Sequence, residues 1–189
     1  MRPQSMAAEA VDIRLQQEHL FQELQNRSLL PVSTEYSKNS LVRRVQTIAD
    51  FQFGGLAGTG LFPESCEFIL STTGRIRQII YDGKRLATVR AKDGRLTLGI
   101  EGARRLHAVL LPPQYRVVIR DDVAEFVEQG KNAFAKHVVA ADPAIRAGDE
   151  VLVVASDDRL VACGTAMLSG KEMLAFNYGR AVTVRQGSN

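Results

Sequence analysis

Two Asp-Gly pairs, Asp82-Gly83 and Asp93-Gly94, punctuate one stretch of the chain, and short runs of alternating polarity flank each of them. Asp-Gly suits a two-residue hairpin turn, because both central residues take positive φ at little cost. The runs are RIRQIIY from residue 75, KRLATVRA from residue 84 and RLTLGI from residue 95. In the last, Leu96, Leu98 and Ile100 alternate with Arg95 and Thr97, so one face is apolar and the other polar. The pattern predicts a three-stranded antiparallel meander with one buried face. GARRLHAVL, from residue 102, predicts a short helix able to cover that face.

The segments around the meander are helical. Residues 7–30 place Ile13, Leu20, Phe21 and Leu24 near helical spacing, and Pro31 ends the pattern. A polar linker, 32–40, follows. Ser40 is placed to N-cap a second helix, with Leu41, Val45, Ile48 and Ala49 as its apolar stripe and Arg43, Arg44, Gln46 and Asp50 facing away. FQFGGLAGTGLFP, from residue 51, is glycine-rich but lacks the GK[ST] end of a phosphate-binding Walker loop and follows a helix rather than a strand. It reads as a turn that permits close packing.

Leu111-Pro112-Pro113 breaks the chain. YRVVIR then reads as a strand, and Asp122 with Glu125 as a capping box for the helix VAEFVEQ. Gly130 stands where a helix takes its left-handed C′ residue. The β-branched runs DEVLVVAS, DRLVACGTAML and RAVTVR are separated by AGDE, SDDR, SGKE and NYGR, which predicts a small barrel or sandwich. The fold class is therefore α+β, with a helical N-terminal extension (1–40), a small α+β domain (41–112) and a C-terminal β-barrel (113–189).

Composition narrows the function. The chain is 45% hydrophobic, ordinary for a globular protein. It has no apolar run of the ~20 residues a membrane span needs and no signal-peptide core at its start, so a cytoplasmic location is expected. Net charge is +3, but residues 41–112 carry eleven Lys and Arg against six Asp and Glu, while the segments on either side are each −1. Such asymmetry points to an anionic partner for the middle segment, or to a solvated arginine-rich sheet face. Arg75, Arg77, Arg90, Arg95, Arg104 and Arg105 are the candidate phosphate contacts. Cys66 and Cys163 are far apart and the three histidines are scattered, so no metal site is expected; buried free thiols and a disulfide both remain open. There is no GxSxG, HExxH, CxxC or Walker sequence. Asp121-Asp122 falls at a helix start and Asp157-Asp158 in a turn. No cofactor and no unassisted enzymatic activity are expected.

One stretch resists a bland reading. GKNAFAKHVV, residues 130–139, mixes Lys131, Asn132, Lys136 and His137 with Phe134 and two valines. The segment FVEQGKNAFAKHVVAADPAIRAGDEVLVV, then DRLVACGTAMLSGKEM, then GRAVTVRQG, resembles a PUA domain. The version it is most similar to closes the archaeal tRNA-guanine transglycosylases and their archaeosine-synthase relatives. ADFQFGGLAGTGLF, TGRIRQII and KDGRLTLGIEGARRL resemble the domain that precedes PUA in those enzymes, which extends the likeness to about residues 40–187. The resemblance implies RNA contact through Gly130, Lys131, Asn132, Phe134, Lys136, His137, Arg180 and Arg185. Lysine and arginine would neutralise phosphates, Asn132 and His137 would hydrogen-bond a base edge or 2′-hydroxyl, and Phe134 would stack a base. Each has a duller reading: Phe134 as core, His137 and the lysines as surface, Asn132 as a turn residue. The family's catalytic barrel, about 250 residues, does not fit in this chain. The resemblance thus implies a free-standing tRNA-binding protein, or the RNA-binding subunit of a transglycosylase-type enzyme whose barrel is a separate chain.

Overall fold

The computed structural model describes residues 37–189; the helix expected over 7–30 lies outside them. Helix α1 (Lys38–Phe53) is capped three residues earlier than expected, by Ser37 rather than Ser40: the Ser37 hydroxyl accepts the Ser40 N–H. Leu41, Val42, Val45, Ala49 and Phe53 form its buried face. Asp50, expected to face away, accepts the N–H of Gly58 at 2.7 Å and so fixes the next short helix, α2 (Ala57–Leu61). A Cβ on Gly58 would stand 2.4 Å from the Gln46 carbonyl oxygen. The glycine-rich stretch thus serves close helix packing, as read from sequence.

Strands β1 (Glu67–Leu70), β2 (Ile76–Tyr81), β3 (Lys84–Val89) and β4 (Leu96–Leu98) form an antiparallel sheet in that order. The expected meander is β2–β4; β1 is an addition that its four mostly exposed residues did not announce. Asp82 and Gly83 both take positive φ, +50° and +69°, as a tight hairpin requires. The second turn differs. Only Gly94 is left-handed (φ +71°), in a longer loop closed by Arg90 N–H to Arg95 O at 2.9 Å. Asp93 contributes its carboxylate there, accepting from the Arg95 N–H at 3.1 Å. Ile100 begins helix α3 (Ile100–Val109) instead of ending β4.

The outer edge of β4 is closed by side chains. Buried Gln52 accepts the Leu96 N–H at 2.7 Å and donates to the Leu96 carbonyl at 3.0 Å. The carboxylate of Glu150 accepts the Leu98 N–H at 2.8 Å. An edge strand that would otherwise offer free backbone groups is thereby satisfied.

The second sheet contains β5 (Arg116–Ile119), β6 (Ala133–Phe134), β7 (Val138–Ala141), β8 (Glu150–Val154), β9 (Leu160–Ala166) and β10 (Arg180–Gly187), in the order β6-β10-β9-β8-β5-β7. Only β5 and β8 pair in parallel, and the sheet curls into a nearly closed barrel. Strand β8 is buried throughout. Val151 and Val153 face the barrel core with Ile119, Val161 and Val182, while Leu152 and Val154 join Phe53, Leu61, Leu86 and Leu106 in the other core. Two cores therefore share one wall, which explains an unbroken apolar run where a half-exposed strand would alternate. Helix α4 (Asp121–Glu128) follows β5, and α5 (Gly170–Ala175) precedes β10. The capping box expected from Asp122 and Glu125 does not form: the helix starts at Asp121, and Asp122 pairs with Arg120 at 2.6 Å. A true capping box instead stands in SGKE, read as a turn, where Ser169 and Glu172 satisfy each other's backbone N–H groups.

Candidate nucleic-acid interface

Helix α4 ends in a Schellman motif. Gly130, at φ +88°, donates to Val127 O at 2.9 Å, and Lys131 donates to Phe126 O at 3.1 Å. The sharp exit turns the chain back along the helix into β6 and a 3-10 turn (Ala135–His137). Ala124 and Val127 face the core, which leaves Phe126 on the helix flank, 59% exposed. A pocket of about 270 Å³ opens there, lined by Ile119, Val123, Phe126, Val127 and Phe134 together with Lys131, Asn132 and His137. Phe134 is 44% exposed, so it belongs to the surface rather than the core. Phe126 was missed in the sequence; the signal was the helical spacing of Ala124 and Val127, which turns Phe126 off the buried stripe.

The polar residues of this face divide. Lys131 and Lys136 are exposed and enter no salt bridge among the described residues. His137 is half-buried, and its Nδ1 has no hydrogen-bond partner among them. Asn132 is engaged: its Oδ1 accepts the Val184 N–H at 3.0 Å and holds β10 against the helix exit. Arg180 is exposed and stands opposite Phe134 in the β6–β10 pairing. Arg185, expected on the same face, instead neutralises Glu150 and donates to the Thr165 hydroxyl at 2.8 Å. Burial pushes the Glu150 carboxyl above its ordinary pKa, opposed by the Arg185 cation and the Leu98 N–H. That pair sits on the barrel wall that faces β4, where Glu150 also accepts the Leu98 N–H, so the partly exposed Arg185 cation is already engaged.

The basic residues of the four-stranded domain also divide. Arg75, Arg77 and Arg90 line one groove of about 880 Å³ with Arg44 and Lys92, over Ile48, Ile76 and Val89. Arg90 keeps a partner there, Asp93 at 2.8 Å. The other three lie elsewhere. Arg95 pairs with Asp149 at 2.9 Å. Arg104 donates to the Ser188 carbonyl at 2.9 Å. Arg105 donates to the Leu61 carbonyl at 3.1 Å and lies 5.1 Å over the Tyr81 ring. Charge counting pointed to this segment but not to the groove, and could not separate arginines that face solvent from those that tie elements together.

Cys66 and Cys163 are buried free thiols. No group of three or more His, Cys, Asp or Glu among the described residues is placed to hold a metal ion, and no helix among them is long and apolar enough to cross a membrane.

Residues 43–113 match the model for the patch-forming domain C2 of tRNA-guanine transglycosylase, and residues 115–187 match the PUA domain. The chain is 52% identical over 151 residues to a tRNA-guanine(15) transglycosylase of Pyrococcus abyssi, covering 80% of this chain and 26% of that protein. It is 38% identical over 181 residues to the enzyme of that name from Methanococcus maripaludis, covering 88% and 28%. The chain thus spans about a quarter of the length of the curated relatives it matches. Among solved structures, a hypothetical protein of Pyrococcus horikoshii aligns over 81% of this chain and 92% of its own, with a TM-score of 0.63 at 24% identity. A conserved PUA domain protein of Thermoplasma acidophilum aligns over 80% and 90%, with a TM-score of 0.55 at 20% identity. Both likenesses concern the fold.

Proposed function

We propose that this chain, whose residues 43–113 and 115–187 match the C2 domain of tRNA-guanine transglycosylase and the PUA domain, binds structured RNA, tRNA near its acceptor stem and 3′ end, in the service of tRNA modification. One observation carries the proposal. The exposed rings of Phe126 and Phe134 and exposed Lys131, which enters no salt bridge among the described residues, line one apolar pocket on the barrel, and Lys136, also exposed, stands two residues beyond Phe134. Cations supply salt-sensitive affinity for phosphates, and an aromatic pocket accepts an unstacked base. In this reading residues 113–189 present the pocket, and residues 41–112 add the groove of Arg75, Arg77 and Arg90 as a second phosphate-contacting face. The protein works in the cytoplasm and contributes binding, not bond-making.

Titration of tRNA at several salt concentrations tests the proposal. Binding should weaken as salt rises. Lys131→Ala/Lys136→Ala should lower affinity and flatten the log–log salt slope by about 1.4–1.8, since each phosphate contact contributes about 0.7–0.9. An unchanged slope in that variant removes this face from the interface. Deleting the 3′-terminal nucleotides should weaken binding of the wild-type protein.

A second reading is favoured by the match of residues 43–113 to a domain of tRNA-guanine transglycosylase. In it the chain is the RNA-binding part of a transglycosylase whose catalytic barrel is a separate polypeptide. Co-purification with such a chain, and loss of that chain's base-exchange activity when this one is withheld, are the expected results.

A further inference from the structure

We propose that the loop between α5 and β10 carries a stacking platform, made by Phe176 and Tyr178, for an unpaired nucleotide of the bound RNA. The proposal deepens the RNA-binding reading by adding residues to the same face. The two rings are nearly parallel, 15° apart, with centroids at 5.9 Å. Buried aromatic pairs are common; this one is not buried. Tyr178 is 73% exposed and Phe176 39%. A stacked pair with one open face presents to solvent the flat apolar surface on which any base can lie. The loop is also held in place. The Gly179 carbonyl accepts the Ala135 N–H at 3.0 Å, one residue from Phe134, and Gly179 itself takes φ +90° to make that approach. The next residue, Arg180, pairs across to Phe134. The platform's loop is therefore tied to the segment that carries Phe134 of the pocket, and the exposed Arg180, which donates to the Thr183 hydroxyl at 3.4 Å, follows it on β10.

That arrangement selects among occupants. An apolar patch for a protein partner would need breadth and would gain nothing from parallel rings or from Arg180. A single strand of RNA needs both features, ring faces for bases and cations for the phosphates that join them. The chemistry is independent of base identity, so the platform confers preference for single-stranded character rather than for a sequence.

The experiment uses the full chain and two RNA hairpins with the same stem, one blunt and one with an unpaired 3′ extension of about four nucleotides. Fluorescence polarisation gives both affinities. Phe176→Ala/Tyr178→Ala should weaken binding of the extended hairpin by about tenfold, equivalent to about 1.4 kcal/mol, and leave the blunt hairpin unaffected. Phe176→Leu/Tyr178→Leu should lose as much, because it keeps apolar area but not ring faces. Tyr178→Trp would place the sole tryptophan in the chain at the platform; its emission should quench on the extended hairpin and not on the blunt one. Unchanged affinity in the alanine variant, equal losses on both hairpins, full affinity in the leucine variant, or tryptophan emission indifferent to the extended hairpin each overturn the platform. Failure of the wild-type protein to bind either hairpin overturns the RNA-binding reading as well. Binding of both by wild type, without the predicted contrast, overturns the platform alone.

Discussion

Replacing Arg116 with Met should destabilise the protein by about 3–4 kcal/mol, although the residue lines neither the pocket nor the arginine groove. Its side chain is only 4% exposed and serves four acceptors. Nε donates to Asp158 Oδ1 at 2.7 Å, Nη1 to the Gln114 carbonyl at 3.3 Å, and Nη2 to the carbonyls of His107 and Leu110, both at 3.1 Å. A hydrogen bond from a charged donor contributes about 1.5–3 kcal/mol, and a buried carbonyl left without a partner costs about 1–3 kcal/mol. Breaking a fully buried ion pair would cost about 3–5 kcal/mol, but Asp158 is 41% exposed and water can take over part of the role. All these contributions run through one guanidinium, so they do not add. Urea unfolding followed by far-UV circular dichroism is the assay. At an m-value of about 2 kcal/mol/M, the midpoint should fall by about 1.5–2 M with m unchanged. Arg116→Lys keeps the charge but not the planar fork, and should lose about half as much. A loss below about 1 kcal/mol in Arg116→Met, or a lysine variant as stable as wild type, would show that the carbonyls find other donors and refute the reasoning.

Acid should attack the same junction. Burial raises the pKa of Asp158, but the hydrogen bonds and charges of Arg116 and His107 outweigh it, and the net shift is downward. A carboxylate held low in the fold binds more protons when unfolded. Its stabilisation is present above the ordinary aspartate range and is lost as pH falls below about 4; Asp158→Asn should flatten that acid limb in a plot of urea midpoint against pH. Burial pushes the Cys66 thiol up to about 11 and that of Cys163 to about 12, so iodoacetamide at pH 8 should label neither until the protein unfolds. Labelling at the rate of free cysteine would contradict the burial. Gly102→Ala would place a Cβ 2.0 Å from the Leu86 carbonyl oxygen and should cost about 2–3 kcal/mol. Gly74→Ala meets nothing within 4 Å and bears only its left-handed φ of +72°, about 1 kcal/mol; thermal midpoints should rank the two in that order.

The strand pattern was the most legible part of the sequence. Alternation and Asp-Gly chemistry are local, and so β2, β3 and the turn at Asp82-Gly83 read correctly. Gly130 read correctly for the same reason, since a left-handed helix exit needs only the residues beside it. What escaped depends on partners distant in the chain. Asn132 looks like a turn residue or a base reader until β10 brings the Val184 N–H to it, 52 positions away. Arg185 looks like an outward cation until Glu150 is found beneath it. The Asp122 box failed because Arg120, two residues earlier, competes for the carboxylate. Tyr178 sat in a stretch read only as a turn, and parallel stacking on Phe176 leaves no mark in residue order.

Gln52 and Glu150, which close the edge of β4, belong to α1 and β8, on opposite sides of the proline break. The amides of Leu96 and Leu98 are therefore guarded by residues from both halves of the chain. In hydrogen exchange they should open only with the whole molecule, at its global free energy, rather than with a smaller unit. Severing the polypeptide between Pro112 and Pro113 would not yield two tidy modules. It would bare the shared wall of β8 and release a strand edge free to recruit its own kind.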